Sequence, residues 1–211
     1  MDTKQTGLRT GRRAAALLLG LIIAATAALA TVGFDSRIQI LGYEPSSGRL
    51  YFRLDSPKGE PNLPHVLFIE PDKPGGEPVE HELWGEGKRE EDLPEIYRTI
   101  QEFAATLEPL EAYDGNWTLE TAIERHDTIQ DPYFGQEIER FATRLRFSVG
   151  PYAGDTLVTA YIDRTIEVIG FYEMPGGSEA VVHFSFTGDM FEGGYLTDAL
   201  LVLKRRNGAE E

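Results

Sequence analysis

Hydrophobic and polar residues alternate along much of the chain, which is the pattern of β-strands with one buried face. Segment 141–149 is the clearest case, and every second residue in it is expected to face the core: Phe141, Thr143, Leu145, Phe147 and Val149. Segment 50–55 also alternates and is expected to leave one face in water, including Tyr51. HVLFIE at 65–70 is apolar on both faces and predicts a central strand.

Further strands are predicted where short apolar or alternating runs lie between turn residues: 38–43, 78–84, 156–164, 166–171, 179–187 and 199–203. Segment 117–129 fits either a strand or a helix, and we prefer a strand. One segment has helical periodicity. Asp92 and Glu95 form a D-x-x-E start with Pro94 in the first turn, and apolar residues continue at helical spacing to Leu107 before Pro109 ends the segment. Such an apolar stripe is expected to pack on a sheet.

Two stretches, 38–70 and 166–203, follow the same order of strand, tight turn, half-polar strand, loop and doubly buried strand. The sequence therefore predicts an α+β fold after an N-terminal apolar helix. We expect a mainly antiparallel β-sheet, made of two similar three-stranded units, with one packed amphipathic helix. One extracytoplasmic β-rich domain is expected at 34–206, followed by a short tail at 207–211.

The N-terminus has the features of an export signal. An uncharged stretch at 14–33 follows four basic residues, and A-x-A stands at 28–30. Cleavage as a signal peptide and retention as a membrane anchor both fit this pattern. Residues 1–30 are therefore expected to be a signal peptide or membrane anchor. We expect the domain outside the cytoplasm, either secreted or periplasmic, or tethered to the membrane through 14–33 if that segment is not cleaved.

Charge and cysteine content narrow the classes of function. The chain carries 35 acidic and 20 basic residues, a formal charge of −15, and 34 of the acidic and 16 of the basic residues lie in 31–211. Such a surface repels nucleic acid, so no nucleic-acid partner is expected. The absence of cysteine excludes disulfides, thiol catalysis and cysteine-ligated zinc.

The familiar catalytic motifs are missing. The sequence has no H-E-x-x-H, no G-x-S-x-G and no phosphate-binding glycine loop, so we predict no catalytic residue, metal or cofactor. The least ordinary group lies in the last unit, where hydroxyls flank a histidine on the strand face opposite the core and a loop with carboxylates follows. Its candidate binding residues are His183, Ser185, Asp189, Glu192 and Tyr195. Such a group can bind a cation or polarise a substrate, and the other interpretation is a solvated sheet face.

Several stretches resemble a family of bacterial secreted proteins of unknown function. They are the exported N-terminus, ILGY and GRLYFRL within 40–54, HVLFIE, the central helix and GGSEAVVHFSFTGDMFEGGYLTDALLVL at 176–203. The opening unit is also similar to strand pairs of propeller blades in secreted proteins. The resemblance covers about residues 38–203 and implies export and a β-rich fold. It implies no chemistry, because the family has no established activity.

Export, β architecture and the lack of a catalytic motif together favour a non-enzymatic envelope module. We expect it to bind an envelope protein or polymer. The alternative is an extracytoplasmic hydrolase or metal-dependent enzyme that uses the region of His183, Asp189 and Glu192.

Overall fold

A computed structural model of the chain describes residues 3–7, 36–55, 63–73, 77–85, 87–131, 135–189 and 195–206. Of the predicted signal peptide or anchor, 1–30, the structure describes only residues 3–7; its apolar stretch at 14–33 and the tail at 207–211 lie outside the described residues. No helix in the described part of the chain is long and apolar enough to cross a membrane.

The described fold is built mainly from strands. They are β1 (Thr3–Gly7), β2 (Arg37–Glu44), β3 (Arg49–Asp55), β4 (His65–Ile69), β5 (Val79–Glu80), β6 (Glu111–Ala112), β7 (Trp117–Gln130), β8 (Glu137–Val149), β9 (Tyr152–Tyr161), β10 (Ile166–Glu173), β11 (Glu179–Asp189) and β12 (Tyr195–Arg205). A 3-10 turn at Glu90–Asp92 leads into the helix α1 (Leu93–Ala104). The prediction of an α+β fold is wrong. Of the described residues, 61% are in strands, whereas the 3-10 turn and α1 together form a single helical segment of 15 residues.

The strands form two antiparallel sheets. The larger has the order β1-β7-β8-β9-β12-β11-β10-β6 and the smaller the order β2-β3-β4-β5. The two predicted three-stranded units exist as β2–β4 and β10–β12, but they belong to different sheets. β9 and β12 pair through Ala153–Lys204 and Tyr152–Arg205. The described ladder between these two strands is confined to these two pairs, whereas β9 pairs with β8 along its whole length to Tyr161.

The larger sheet curls around a hydrophobic core. Trp117 is on β7, the second strand in the order of the sheet, and Phe171 is on β10, the seventh. Their ring centroids are nevertheless 5.3 Å apart. Phe147 of β8 and Phe184 of β11 are also 5.3 Å apart. The residues of 141–149 that were predicted to face the core are all buried, so this prediction is confirmed.

β11 is buried on both of its faces. Its Val182 packs in the core of the curled sheet, and Val181 packs with Leu50 of the smaller sheet in a second core. His183 and Ser185 share the face of Val181 and are 6% and 1% exposed. The interpretation of this face as solvated is wrong, because the smaller sheet covers it.

The helix covers the outer face of the smaller sheet. A third core joins them: Tyr51, Val66, Phe68, Ile96 and Ile100. Tyr51, which was expected to face water, is therefore 2% exposed. The helix begins next to Asp92 as predicted, although the Asp92 carboxylate accepts a hydrogen bond from the backbone N–H of Arg89 and makes no cap on the helix.

The chain after α1 is held tightly against β2. Tyr43 and Glu108 exchange two backbone hydrogen bonds of 2.8 and 2.9 Å. At Gly42 the backbone has φ +150°, and a Cβ there would lie 2.7 Å from Cβ of Leu107. Glycine permits this close approach, which fixes where the helix lies on the sheet.

Candidate functional site

A concave space lies on the larger sheet beside the loop that follows β9. It has a volume of about 740 Å³, and its walls are inward-facing residues of β7 and β8 together with the β9–β10 loop, 162–165. We call this space the cup. Apolar and hydroxyl side chains alternate on its walls: Ile123, Phe141, Ile166, Thr121, Thr143 and Thr165. Pockets of this volume at the mouths of curled β-sheets are common sites for small ligands.

A polar residue lies deep in the cup. Thr143 occupies a core-facing position of β8 between Phe141 and Leu145 and is 3% exposed. Its hydroxyl has no hydrogen-bond partner among the described residues. Leaving a buried hydroxyl unpaired costs about 1–3 kcal/mol. Rotation about χ1 exchanges its methyl and hydroxyl, so a ligand group could gain the bond that the protein does not supply.

One side of the cup carries a stacked ring pair. His126 of β7 lies on Phe141 of β8 with 4.5 Å between ring centroids and 16° between ring planes. His126 Nε2 is 3.5 Å from a carboxylate oxygen of Glu139, and both side chains are about half exposed. The paired strands β7 and β8 therefore place an aromatic wall, Phe141, next to a polar rim, His126 and Glu139.

The same two strands are joined by an ion pair beside the cup. Arg140 donates two hydrogen bonds, of 2.9 and 2.7 Å, to the carboxylate of Asp127. This hydrogen bonding, helped by the charges of Arg125 and Arg140, lowers the pKa of Asp127 to about 2. The pair fixes β7 against β8 at the level of the cup.

The β9–β10 loop closes the remaining side in a strained conformation. Ile162 has φ +68°, which is unfavourable for a β-branched residue, and its side chain lines the cup. Its backbone N–H donates to the carbonyl of Glu139 at 2.9 Å. Asp163 accepts bonds from the N–H of Thr165 at 2.9 Å and from the hydroxyl of Thr187 at 3.4 Å. Strain of this kind persists only where surrounding contacts impose it, and it is common at ligand sites.

The residues predicted from sequence lie elsewhere. His183 Nε2 is 3.0 Å from Oδ2 of Asp198, and the same oxygen accepts the backbone N–H of Ile38 at 3.0 Å. Arg37 Nη1 lies 3.6 Å from Oδ1 of Asp198. The histidine and the carboxylate are 7% and 3% exposed as side chains, and the hydroxyl of Ser185 has no hydrogen-bond partner in the described structure. This polar cluster joins β11 and β12 to β2 and therefore holds the two sheets together.

The other predicted residues do not converge on His183. Asp189 is opposite Tyr195 in the strand register and lies six positions from His183 along β11, roughly 20 Å in an extended strand. Glu192 lies outside the described residues. No group of three or more histidine, aspartate or glutamate residues in the described ranges could hold a metal ion.

His183 also lines a smaller cavity, which differs in character from the cup. Its volume is about 400 Å³, and it lies between β2, β10 and the segment after α1. Four aliphatic side chains are among its lining residues: Ile38, Ile40, Leu110 and Ile169. The ring nitrogen Nε2 of His183 is already hydrogen-bonded to Asp198. Only the other ring nitrogen, Nδ1, is therefore left for a ligand in this cavity.

The cup was missed by the sequence reasoning, although one signal was available. Thr143 is a polar residue in an otherwise apolar row of core-facing positions, and an unpaired hydroxyl in such a row marks a site worth attention. The contributions of His126 and of the β9–β10 loop depend on how the sheet curls, which no local pattern shows.

Comparison of the chain with protein-family models, with curated protein sequences and with solved structures gives no match. The resemblance to bacterial secreted proteins therefore remains an expectation. The assignment of a function depends on the geometry of the chain itself.

Proposed function

We propose that the chain is a non-enzymatic binding module of the cell envelope that takes a small, partly apolar ligand in the cup. The observation that carries this proposal is the cup itself, a space of about 740 Å³ that borders the hydrophobic core and is lined by Thr143, whose buried hydroxyl has no partner among the described residues. Five of the twelve lining residues are apolar and seven are polar, so the cup offers both apolar contact and groups that can orient a ligand. Export, expected from the sequence, would place this pocket where it meets ligands of the envelope or the medium.

A neutral apolar fluorophore, N-phenyl-1-naphthylamine, tests the binding part of the proposal. Titration of the full chain should give saturable binding with one site per chain. Ile123→Trp adds bulk to the wall of the cup and should weaken binding at least about fivefold, since overfilling a site of fixed shape costs about 1–3 kcal/mol.

Leu157→Trp is the matched control, because Leu157 lies on β9, is 50% exposed and does not line the cup. It should leave binding unchanged. Absence of saturable binding, or equal binding by the Ile123→Trp variant and the wild type, would contradict the proposal.

Cell fractionation tests the location. We expect the protein in the envelope or the medium, with cleavage near residue 30 if 14–33 acts as a signal peptide and full length if it acts as an anchor. Recovery of the full-length protein from the cytosol would contradict the extracytoplasmic part of the proposal.

A further inference from the structure

The rim of the cup carries a cation that has no acidic partner among the described residues. Arg164 lies in the β9–β10 loop with its guanidinium carbon 5.7 Å from the centroid of Phe141, and it is exposed. Within the described ranges no carboxylate lies at salt-bridge distance from it. This is notable because the chain has 35 acidic residues against 20 basic ones.

Both carboxylates at the rim have neighbours in the protein. Asp163 accepts hydrogen bonds from Thr165 and Thr187, and a carboxylate oxygen of Glu139 lies 3.5 Å from Nε2 of His126. A ligand cation at Asp163 would therefore have to share that carboxylate with protein donors. A ligand anion would meet in Arg164 a guanidinium whose donors are not engaged by a described carboxylate.

The walls below Arg164 are suited to hydrocarbon. Phe141 and Ile166 are 5% and 8% exposed and continue the core, and Ile162 stands at the mouth with 40% exposure. A ligand that reaches these three side chains must bring an apolar body there, since apolar contact is what they offer.

We infer that the ligand is a single-chain amphiphile with a carboxylate head group, which Arg164 binds at the rim while the apolar chain lies between β7, β8 and Ile162. This inference rests on the proposed function. Guanidinium and carboxylate groups form paired, charge-assisted hydrogen bonds that a neutral head group cannot form. The net charge of the chain opposes the approach of anions only weakly at physiological salt, because charges more than about 8 Å away are screened.

A matched series of ten-carbon ligands tests the inference: decanoate, decan-1-ol and decylamine. Each ligand is titrated into the full chain and displaces bound N-phenyl-1-naphthylamine. Ligand concentrations stay below the concentration at which that ligand aggregates. Decanoate should bind about tenfold more tightly than the alcohol, the scale of one charge-assisted hydrogen bond, and the amine should bind least tightly.

Two variants separate the contribution of the head group to the affinity from the contribution of the apolar chain in the cup. Arg164→Gln should lower decanoate affinity to that of decan-1-ol and leave the affinity for the alcohol unchanged. Arg98→Gln is the control, since Arg98 is a 67% exposed arginine on α1, and it should change neither affinity.

The outcomes distinguish the two claims. If no member of the series binds, the proposed function fails together with the inference. If the alcohol binds as well as decanoate, if the amine binds more tightly, or if Arg164→Gln leaves decanoate affinity unchanged, the inference is overturned and the proposed function stands.

Discussion

Replacement of Asp198 tests whether the buried histidine and carboxylate act as a structural link between the sheets. Asp198 is on β12, and its Oδ2 atom accepts from His183 of β11 and from the backbone of Ile38 of β2, each at 3.0 Å. Asp198→Ala leaves two donors without a partner in a site where the carboxylate side chain was 3% exposed. Breaking a buried pair by removing one member costs about 3–5 kcal/mol, so we expect the free energy of unfolding to fall by that amount.

Asp198→Asn separates the hydrogen bonds from the charge. An amide oxygen in the place of Oδ2 keeps both acceptor contacts, whereas the amide nitrogen replaces the oxygen that lies 3.6 Å from Arg37. The loss should therefore be smaller, about 1–2 kcal/mol, the scale of one weakened charged contact. Urea unfolding followed by tryptophan fluorescence and far-UV circular dichroism measures both variants.

Asp155→Ala is the matched control, because the Asp155 carboxylate is 52% exposed and pairs with Arg144 on the surface. Exposed ion pairs contribute about 0–1 kcal/mol, so this variant should remain within that range of the wild type. An Asp198→Ala variant as stable as the wild type would refute the structural role. A more stable variant would indicate that the pair is retained for activity, and it would favour the hydrolase alternative at His183.

Three further changes have expected outcomes. Gly42→Ala should lower the free energy of unfolding by about 1–3 kcal/mol, because its Cβ would lie 2.7 Å from Leu107, whereas Gly85→Ala, with nothing within 4 Å, should have little effect in the same urea assay. Ile162→Gly should raise stability by up to about 1 kcal/mol through relief of the φ +68° strain and should weaken fluorophore binding, because a wall is lost; unchanged binding would contradict its place in the cup. The pKa of Asp127 is lowered from 3.8 to about 2 in the folded state, so its ion pair stabilises the fold above about pH 4 and that contribution is lost as pH falls towards 2. The stability difference between the wild type and Asp127→Asn should therefore narrow over this pH range in thermal unfolding experiments, and a constant difference would argue against the pairing.

Local patterns predicted many of the elements well. The alternation in 141–149 gave the buried row of β8, and the preferred strand interpretation of 117–129 is confirmed by β7. The helix was predicted to begin at the right place, although its last turn ends at Ala104 rather than near Leu107. The predicted edge strand at 78–84 shrinks to Val79–Glu80, and the strand Thr3–Gly7 was not predicted.

Tertiary arrangement accounts for what was missed. Alternation in β11 shows which residues share a face, but it does not show that a second sheet covers the face of His183. The α+β prediction failed for a related reason. The apolar stripe of α1 does pack on a sheet, as predicted, but the helix covers only one face of the smaller sheet. The other described layers consist of strands. The cup depends on how β7 and β8 lie against the β9–β10 loop and on the strained turn at Ile162, and neither is visible in a local pattern.

The most direct test of the central claim is the titration of the wild type and the Ile123→Trp variant with N-phenyl-1-naphthylamine. If the cup is a ligand site, the wild type binds one fluorophore per chain, the Ile123→Trp variant binds at least about fivefold less tightly, and the Leu157→Trp variant binds like the wild type. Equal binding by all three proteins, or no saturable binding by any of them, would contradict the claim.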